Sequence, residues 1–256
     1  MGIDLLQMGA TAFVFFIAAV IHGIAGFGFA QVSMGLLPLF RSAGTASVVF
    51  SMVAIVANAR VLWSVREDFE WKDWAIPVAG LAVGVPVGIH FFQQFSEDQL
   101  RFFIGATLLL AVTLIVAMRQ LPFVRNWIEE TGFKPGWTSG VAAGFLAGIL
   151  GGAIAIPGPP MIMYGTFMVG AGLWKGRRMK AVFTAFFGTV QLYRLATLLI
   201  AGSVTAPLVT EAALGLPALF LGAWLGILIF RYISQRIFRW VVLAMLTANA
   251  LILLVG

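Results

Sequence analysis

The sequence predicts an all-α, multi-pass membrane protein made of two inverted repeats, each a broken helical hairpin followed by three transmembrane helices. Three observations predict it. Hydrophobic residues make up 61% of the 256 and charged residues 10%, whereas a soluble domain carries roughly 25% charged residues. Apolar stretches of crossing length recur along the whole chain. Two glycine- and proline-rich breaks, Gly23-Ile-Ala-Gly-Phe-Gly-Phe-Ala30 and Gly148-Ile-Leu-Gly-Gly-Ala-Ile-Ala-Ile-Pro-Gly-Pro-Pro160, interrupt hydrophobic stretches at corresponding places in the two halves.

A crossing needs about 20 apolar residues, and the stretches near 43–65, 74–93, 99–118, 180–201, 208–230 and 237–255 supply them. The stretches 5–40 and 136–174 are too long for one crossing. Each suits two short helices that meet at an irregular tip, and these tips are the breaks. The organisation that follows is a first repeat over 1–120, a cytoplasmic connector over 121–135 and a second repeat over 136–256.

The halves resemble each other. A shift of 138 places Leu81, Gly84, Gly88, Ser96 and Arg101 on Leu219, Gly222, Gly226, Ser234 and Arg239, and the breaks align at a shift of 125, Gly23 with Gly148 and Gly26 with Gly151. Loop charges then relate the repeats. Lys175, Arg177, Arg178 and Lys180 precede one span, Arg231, Arg236 and Arg239 fall two loops later, and the loop between, near 202–207, has no basic residue. Basic loops stay in the cytoplasm. In the first half the bias reverses: loops 66–73 and 119–135 carry Arg66, Lys72, Arg119, Arg125 and Lys134, and their alternating partners carry only Arg41 and Arg101. Equivalent loops therefore face opposite sides. This requires 136–174 to enter and leave from the cytoplasm, as a two-helix hairpin does. A plain eight-helix arrangement with parallel halves is the alternative.

Backbone freed inside a membrane must find a partner or line a cavity, and paired breaks in a transporter's halves point to its binding site. A helix that starts inside the membrane presents unpaired N–H groups and the positive end of its dipole. In the first break Gly26 and Gly28, beside Phe27 and Phe29, let the backbone approach a ligand, and the next helix is expected to begin near Gln31 with Ser33 in its first turn. In the second, Gly151 and Gly152 loosen the chain while Pro157, Gly158 and the following prolines start a new helix. Two such helix starts suit a small anion with several oxygens and no protons to donate. For any one of these glycines, close helix packing is the competing account.

Among interior polar residues, Asn58 and Arg60 correspond to Gln191 and Arg194 at a shift of 133–134. Intramembrane arginines are costly and point to function. Arg194, well inside its span, is assigned to the substrate site. Arg60 either guards a mouth or snorkels to the interface. His22, Asn58, Gln191 and Tyr193 join Arg60 as gate or coupling candidates, and Glu211, near a span end, reads as interfacial.

The exclusions are plain. The chain has no cysteine, so it has no disulfide or thiolate metal site. It carries no His-Glu-x-x-His and no Gly-x-Ser-x-Gly. No catalytic residue, cofactor or metal is expected, and the chain does not read as an enzyme. The net charge of +6 sits in short loops between spans, which is a topology signal and not a nucleic-acid surface. The expected surroundings are the lipid bilayer and a small anionic substrate, with a homodimer left open.

These segments carry a resemblance. Gly23 to Ala30 with Pro38, Gly144-Phe-Leu-Ala-Gly-Ile-Leu-Gly-Gly152, and Ile156-Pro-Gly-Pro-Pro160 with Tyr164 resemble the sulfite exporter TauE/SafE family, also described as toluene sulfonate uptake permeases. Similarity extends over essentially the whole chain in length and hydropathy. The resemblance implies a bacterial inner-membrane carrier for sulfite, sulfonates or related sulfur-containing organic anions, an exporter working by alternating access. Two departures stand out. Gln31 and Ser33 fall where apolar or small residues are expected, and Ala155 replaces a glycine common in the second motif. An anion channel and a non-transporting membrane scaffold are the other readings.

Overall fold

The computed structural model describes residues 5–25, 28–120, 126, 130–132, 135–229 and 235–255. Gly26, Phe27 and most of the 121–135 connector lie outside them. The helices are α1 (Leu5–Ala25), α2 (Phe29–Leu36), α3 (Ala43–Val65), α4 (Trp71–Gln94), α5 (Glu97–Gln120), α6 (Trp137–Ile154), α7 (Gly158–Gly170), α8 (Gly176–Ile200), α9 (Ala206–Ile229) and α10 (Gln235–Val255). Among the described residues no strand occurs, and six helices are long and apolar enough to cross a membrane. Both long stretches break where glycine and proline predicted.

Local chemistry explains the starts. Ser96 and Gln99 form a reciprocal capping box at α5: the Gln99 N–H donates to Ser96 Oγ at 3.3 Å and the Ser96 N–H to Gln99 Oε1 at 2.8 Å. The hydroxyl of Ser42 accepts the Thr45 N–H at 3.3 Å, and the Glu97 carboxylate accepts the N–H groups of Ala43 and Gly44. That carboxylate stands at the positive end of α3. The helix α2 begins at Phe29, two residues before the expected Gln31, so Ser33 lies beyond its first turn. The reason is Gly28, whose φ of +98° turns the chain before the helix.

The chain divides into two compact units: Met1–Ala57 with Phe95–Leu109 and Leu195–Gly256, and Asn58–Gln94 with Leu110–Arg194. In the first, α1 packs along α9. A Cβ added at Gly222 or Gly226 would land on the backbone carbonyl of Phe16 or Val20. In the second, α4 packs along α6. A Cβ at Gly80, Gly84 or Gly88 would land on the carbonyl of Val141, Phe145 or Ile149, and one at Gly144 on that of Pro77. Such small-residue stripes let membrane helices approach closely and gain dispersion contacts, since lipid offers no hydrophobic drive between helices. Leu81, Val85, Ala147, Met161 and Phe186 fill the core beside this seam.

This packing has a spacing of its own. Gly222 and Gly226 follow Gly84 and Gly88 by 138, as the sequence comparison has it, and their partners Phe145 and Ile149 follow Phe16 and Val20 by 129. The helix starts Phe29 and Gly158 also stand 129 apart. These contacts and helix starts share a spacing of 129, beside the 125 at which the break glycines align. The two spacings differ by four residues, about one helical turn.

Candidate functional site

The first break lies wholly in the first unit. Gly28, Phe29, Gln31 and Ser33 are buried. The Phe29 ring stacks near Phe15 at 6.1 Å, Phe50 at 5.6 Å and the His22 imidazole at 5.9 Å between centroids. Gly28 caps α2 without any side-chain hydrogen bond. The N–H groups of Phe29, Ala30 and Gln31 come before the first intrahelical bond, Val32 N–H to Gly28 carbonyl at 2.9 Å, and so have no partner within the helix. The Ser33 hydroxyl, fully buried, has no hydrogen-bond partner among the described residues. A Cβ at Gly28 would meet only Ile21, at 3.7 Å. The backbone angle, not space, demands glycine there.

The second break lies in the second unit and has the opposite chemistry. Ala155 ends α6 in the left-handed region at φ +61°. That conformation costs a non-glycine residue about 1–2 kcal/mol, and it explains a glycine preference at this place. The prolines at 159 and 160 remove two N–H groups from the first turn of α7. The new helix thus begins with few donors. What the break presents instead are the orphaned carbonyls at the end of α6, and two side chains of α8 take them. The Arg194 Nε–H donates to the Gly152 carbonyl at 2.9 Å, and the Gln191 amide donates to the Ala155 carbonyl at 3.2 Å. Arg194 is fully buried, with its guanidinium carbon 4.9 Å from the Phe92 ring centroid. A cation at a helix C-terminus is the favourable pairing with the dipole. Gln191 Oε1 is buried without a hydrogen-bond partner among the described residues.

Packing accounts for the glycines at this break. A Cβ at Gly152 would press on the Val85 carbonyl and Gly88, and one at Gly151 on Val190 and Pro157. Of the remaining candidates, Asn58 is half-buried, and a Cβ added at Gly188 of α8 would meet the Asn58 Cβ at 3.5 Å. The Tyr193 hydroxyl donates to the Ala82 carbonyl at 3.4 Å. Arg60 is exposed, unlike Arg194. A groove of about 470 Å³ on α4 and α6 is lined by Ala79, Val83, Trp137, Val141 and Phe145 among others. It touches neither break and has the composition of a lipid-facing flank.

Glu211, near the start of α9, is buried and forms an ion pair with Arg41, whose guanidinium also donates to Thr11 Oγ1 at 3.2 Å. Span position alone could not reveal a partner 170 residues away, although the shift of 138 places Glu211 on Asp73, which is itself paired.

The broken hairpins, the apolar spans and the buried arginine agree with one finding from comparison. The family model described as Sulfite exporter TauE/SafE matches residues 11–253, nearly the whole chain. The chain belongs to this family. It is a multi-pass membrane protein of a family of transporters rather than enzymes. No curated protein matches the chain. No solved structure matches it either.

Proposed function

We propose that this member of the sulfite exporter TauE/SafE family carries sulfite or a small organosulfonate out of the cell across a bacterial inner membrane by alternating access. The observation that carries the reading is the start of α2: left-handed Gly28 followed by three consecutive residues whose N–H groups have no partner within the helix, in a buried setting. Such a helix start favours an oxyanion. The broken second hairpin contributes charge through Arg194 and not through its helix start. An inside-negative potential drives a monovalent anion outward with about 2.3 kcal/mol per 100 mV, so export needs no coupling ion. The substrate residues of the reading are Gly26 to Phe29, Gln31 and Ser33 in one break, and Gly151, Gly152, Pro157, Gly158 and Arg194 around the other.

The inverted arrangement of the repeats belongs to the same proposal. In a plain eight-helix arrangement the segment before α3 and the loop before α9 open on opposite membrane faces. Arg41, in the segment before α3, pairs with Glu211 in the second turn of α9. Arg178 in the first turn of α8 pairs with Asp73 in the first turn of α4, two helix starts that the eight-helix arrangement also puts on opposite faces. A bilayer core about 30 Å thick cannot be bridged by an ion pair. Both contacts support a hairpin in place of a single crossing at 136–174.

Purified protein in liposomes, challenged with sulfite, a panel of sulfonates and sulfate, tests the function. Saturable flux of sulfite or a sulfonate, lost in Arg194→Gln, is the expected result. Conductance far above carrier turnover would instead make it a channel. Absence of both flux and anion binding would leave a scaffold.

A further inference from the structure

We propose that Arg41–Glu211 and Arg178–Asp73 are repeat-related latches, guanidinium–carboxylate pairs that open alternately as the carrier changes the side from which its site is reached. The proposal rests on the carrier reading and its inverted topology. Asp73 and Glu211 are 138 residues apart, the same shift that superposes Gly84 on Gly222. Each acid therefore stands eleven residues, about three turns, before an equivalent glycine in the helix seam. Each acid also reaches a base beside the start of a long helix from the other repeat: Arg41 lies two residues before α3, and Arg178 is the third residue of α8. The two bases are about one helical turn out of register. The acids match and the bases are exchanged crosswise, so one repeat's acid is always held by the other repeat's base.

The two pairs are in different conditions. The Arg41 and Glu211 side chains are 3% and 9% exposed, while those of Arg178 and Asp73 are 36% and 14% exposed. Arg41 has Thr11 as a second partner. The position 129 residues later is Gly140, which has no hydroxyl to offer. A buried pair cannot lose one member without stranding the other, whereas an exposed pair parts at little cost. Both latches are thus shut, the first buried and the second more exposed, and the Arg177–Asp68 pair at 2.8 Å lies beside the second. Two elements equivalent by repeat but unequal in burial part at unequal cost.

The chain has no cysteine, so single cysteines report cleanly in the full-length protein. With Ser33→Cys in the first break as reporter, a membrane-impermeant maleimide is applied to right-side-out and inside-out vesicles. Glu211→Gln should raise labelling from outside by roughly tenfold, the scale on which one lost charge pair moves a two-state equilibrium. Asp73→Asn should shift labelling toward the inside. The charge exchange Arg41→Glu with Glu211→Arg should return the parental pattern. If Glu211→Gln does not fold, Arg41→Lys keeps the charge, loses the planar fork, and should shift labelling the same way to a smaller extent. Unchanged labelling from both faces in Glu211→Gln, or in Arg41→Lys in its place, and in Asp73→Asn overturns the latches. Exposed Lys72 and Lys175, replaced singly by cysteine, test the topology separately, since the inverted arrangement puts both on the inner face and the eight-helix arrangement puts them on opposite faces. Labelling of the two from opposite faces places the fault in the inverted arrangement and removes the basis for alternation.

Discussion

Arg194 Nε donates to the carbonyl oxygen of Gly152 at 2.9 Å, and the arginine is fully buried. The pair closes the C-terminal end of α6 at the point where the second hairpin breaks. Arg194→Gln leaves that acceptor unsatisfied, or satisfied only by a neutral donor. It should cost about 1–3 kcal/mol of stability, the range for a hydrogen bond to a charged group. Sulfonate affinity, read by calorimetry in detergent, should fall in the same variant. Arg194→Lys should restore part of the affinity and less of the stability, because an ammonium lacks the planar fork. Unchanged affinity in Arg194→Gln would leave this residue a helix brace alone.

Backbone sign separates the two breaks. Gly28 and Ala155 both have positive φ, +98° and +61°, but only one of them is glycine. Gly28→Ala should lose about 1–2 kcal/mol, the left-handed penalty for a residue with a Cβ. Ala155→Gly should gain up to about 1 kcal/mol, the same penalty relieved less the extra chain entropy of glycine. Thermal unfolding in one detergent gives both signs. A gain from Gly28→Ala would contradict the left-handed turn before α2.

The glycine stripes predict a contrast within one residue type. Gly84→Ala sets a methyl against the Phe145 carbonyl and Gly222→Ala sets one against the Phe16 carbonyl, whereas Gly9 in α1 has nothing within 4 Å of a Cβ. The first two should each cost about 1–3 kcal/mol by overpacking. Gly9→Ala should instead stabilise by roughly 0.5–1 kcal/mol, since it relieves the entropy penalty of glycine in a helix. Equal effects at all three would show that the seams are not in backbone contact.

The topology has its own measurement. Cysteines at Arg66, Thr131 and Lys175 should be shielded from an impermeant reagent outside the cell, and one at Gly202 should react. Labelling of Thr131 and Lys175 from opposite faces would remove both the 136–174 hairpin and the inverted repeat.

Much of the fold was legible in the chain because its signals are local. Hydropathy over about 20 residues marks a span, and a glycine or proline inside one interrupts the helix wherever the rest of the molecule lies. The 5–40 and 136–174 stretches therefore divide at Gly28 and Ala155, near where their composition predicts. The chemistry of the candidate site was less legible than the position of the breaks. Both breaks read as donor-bearing helix starts, yet Pro159 and Pro160 strip two donors from the second.

By itself the sequence determined a helical membrane protein, its paired breaks, and the family to which it belongs, since each depends on composition, spacing or motif along the chain. Tertiary structure alone decided that Arg194 is buried against Gly152 while Arg60 is exposed, that Glu211 is bound to Arg41, and that Gly84 and Gly222 meet the carbonyls of Phe145 and Phe16. The physical reason is range. A span or a turn is set by free energies of neighbouring residues, whereas the burial of a charge is decided by groups brought from 30 to 170 residues away. One helical turn of slippage leaves the sequence pattern nearly unchanged and replaces every backbone contact.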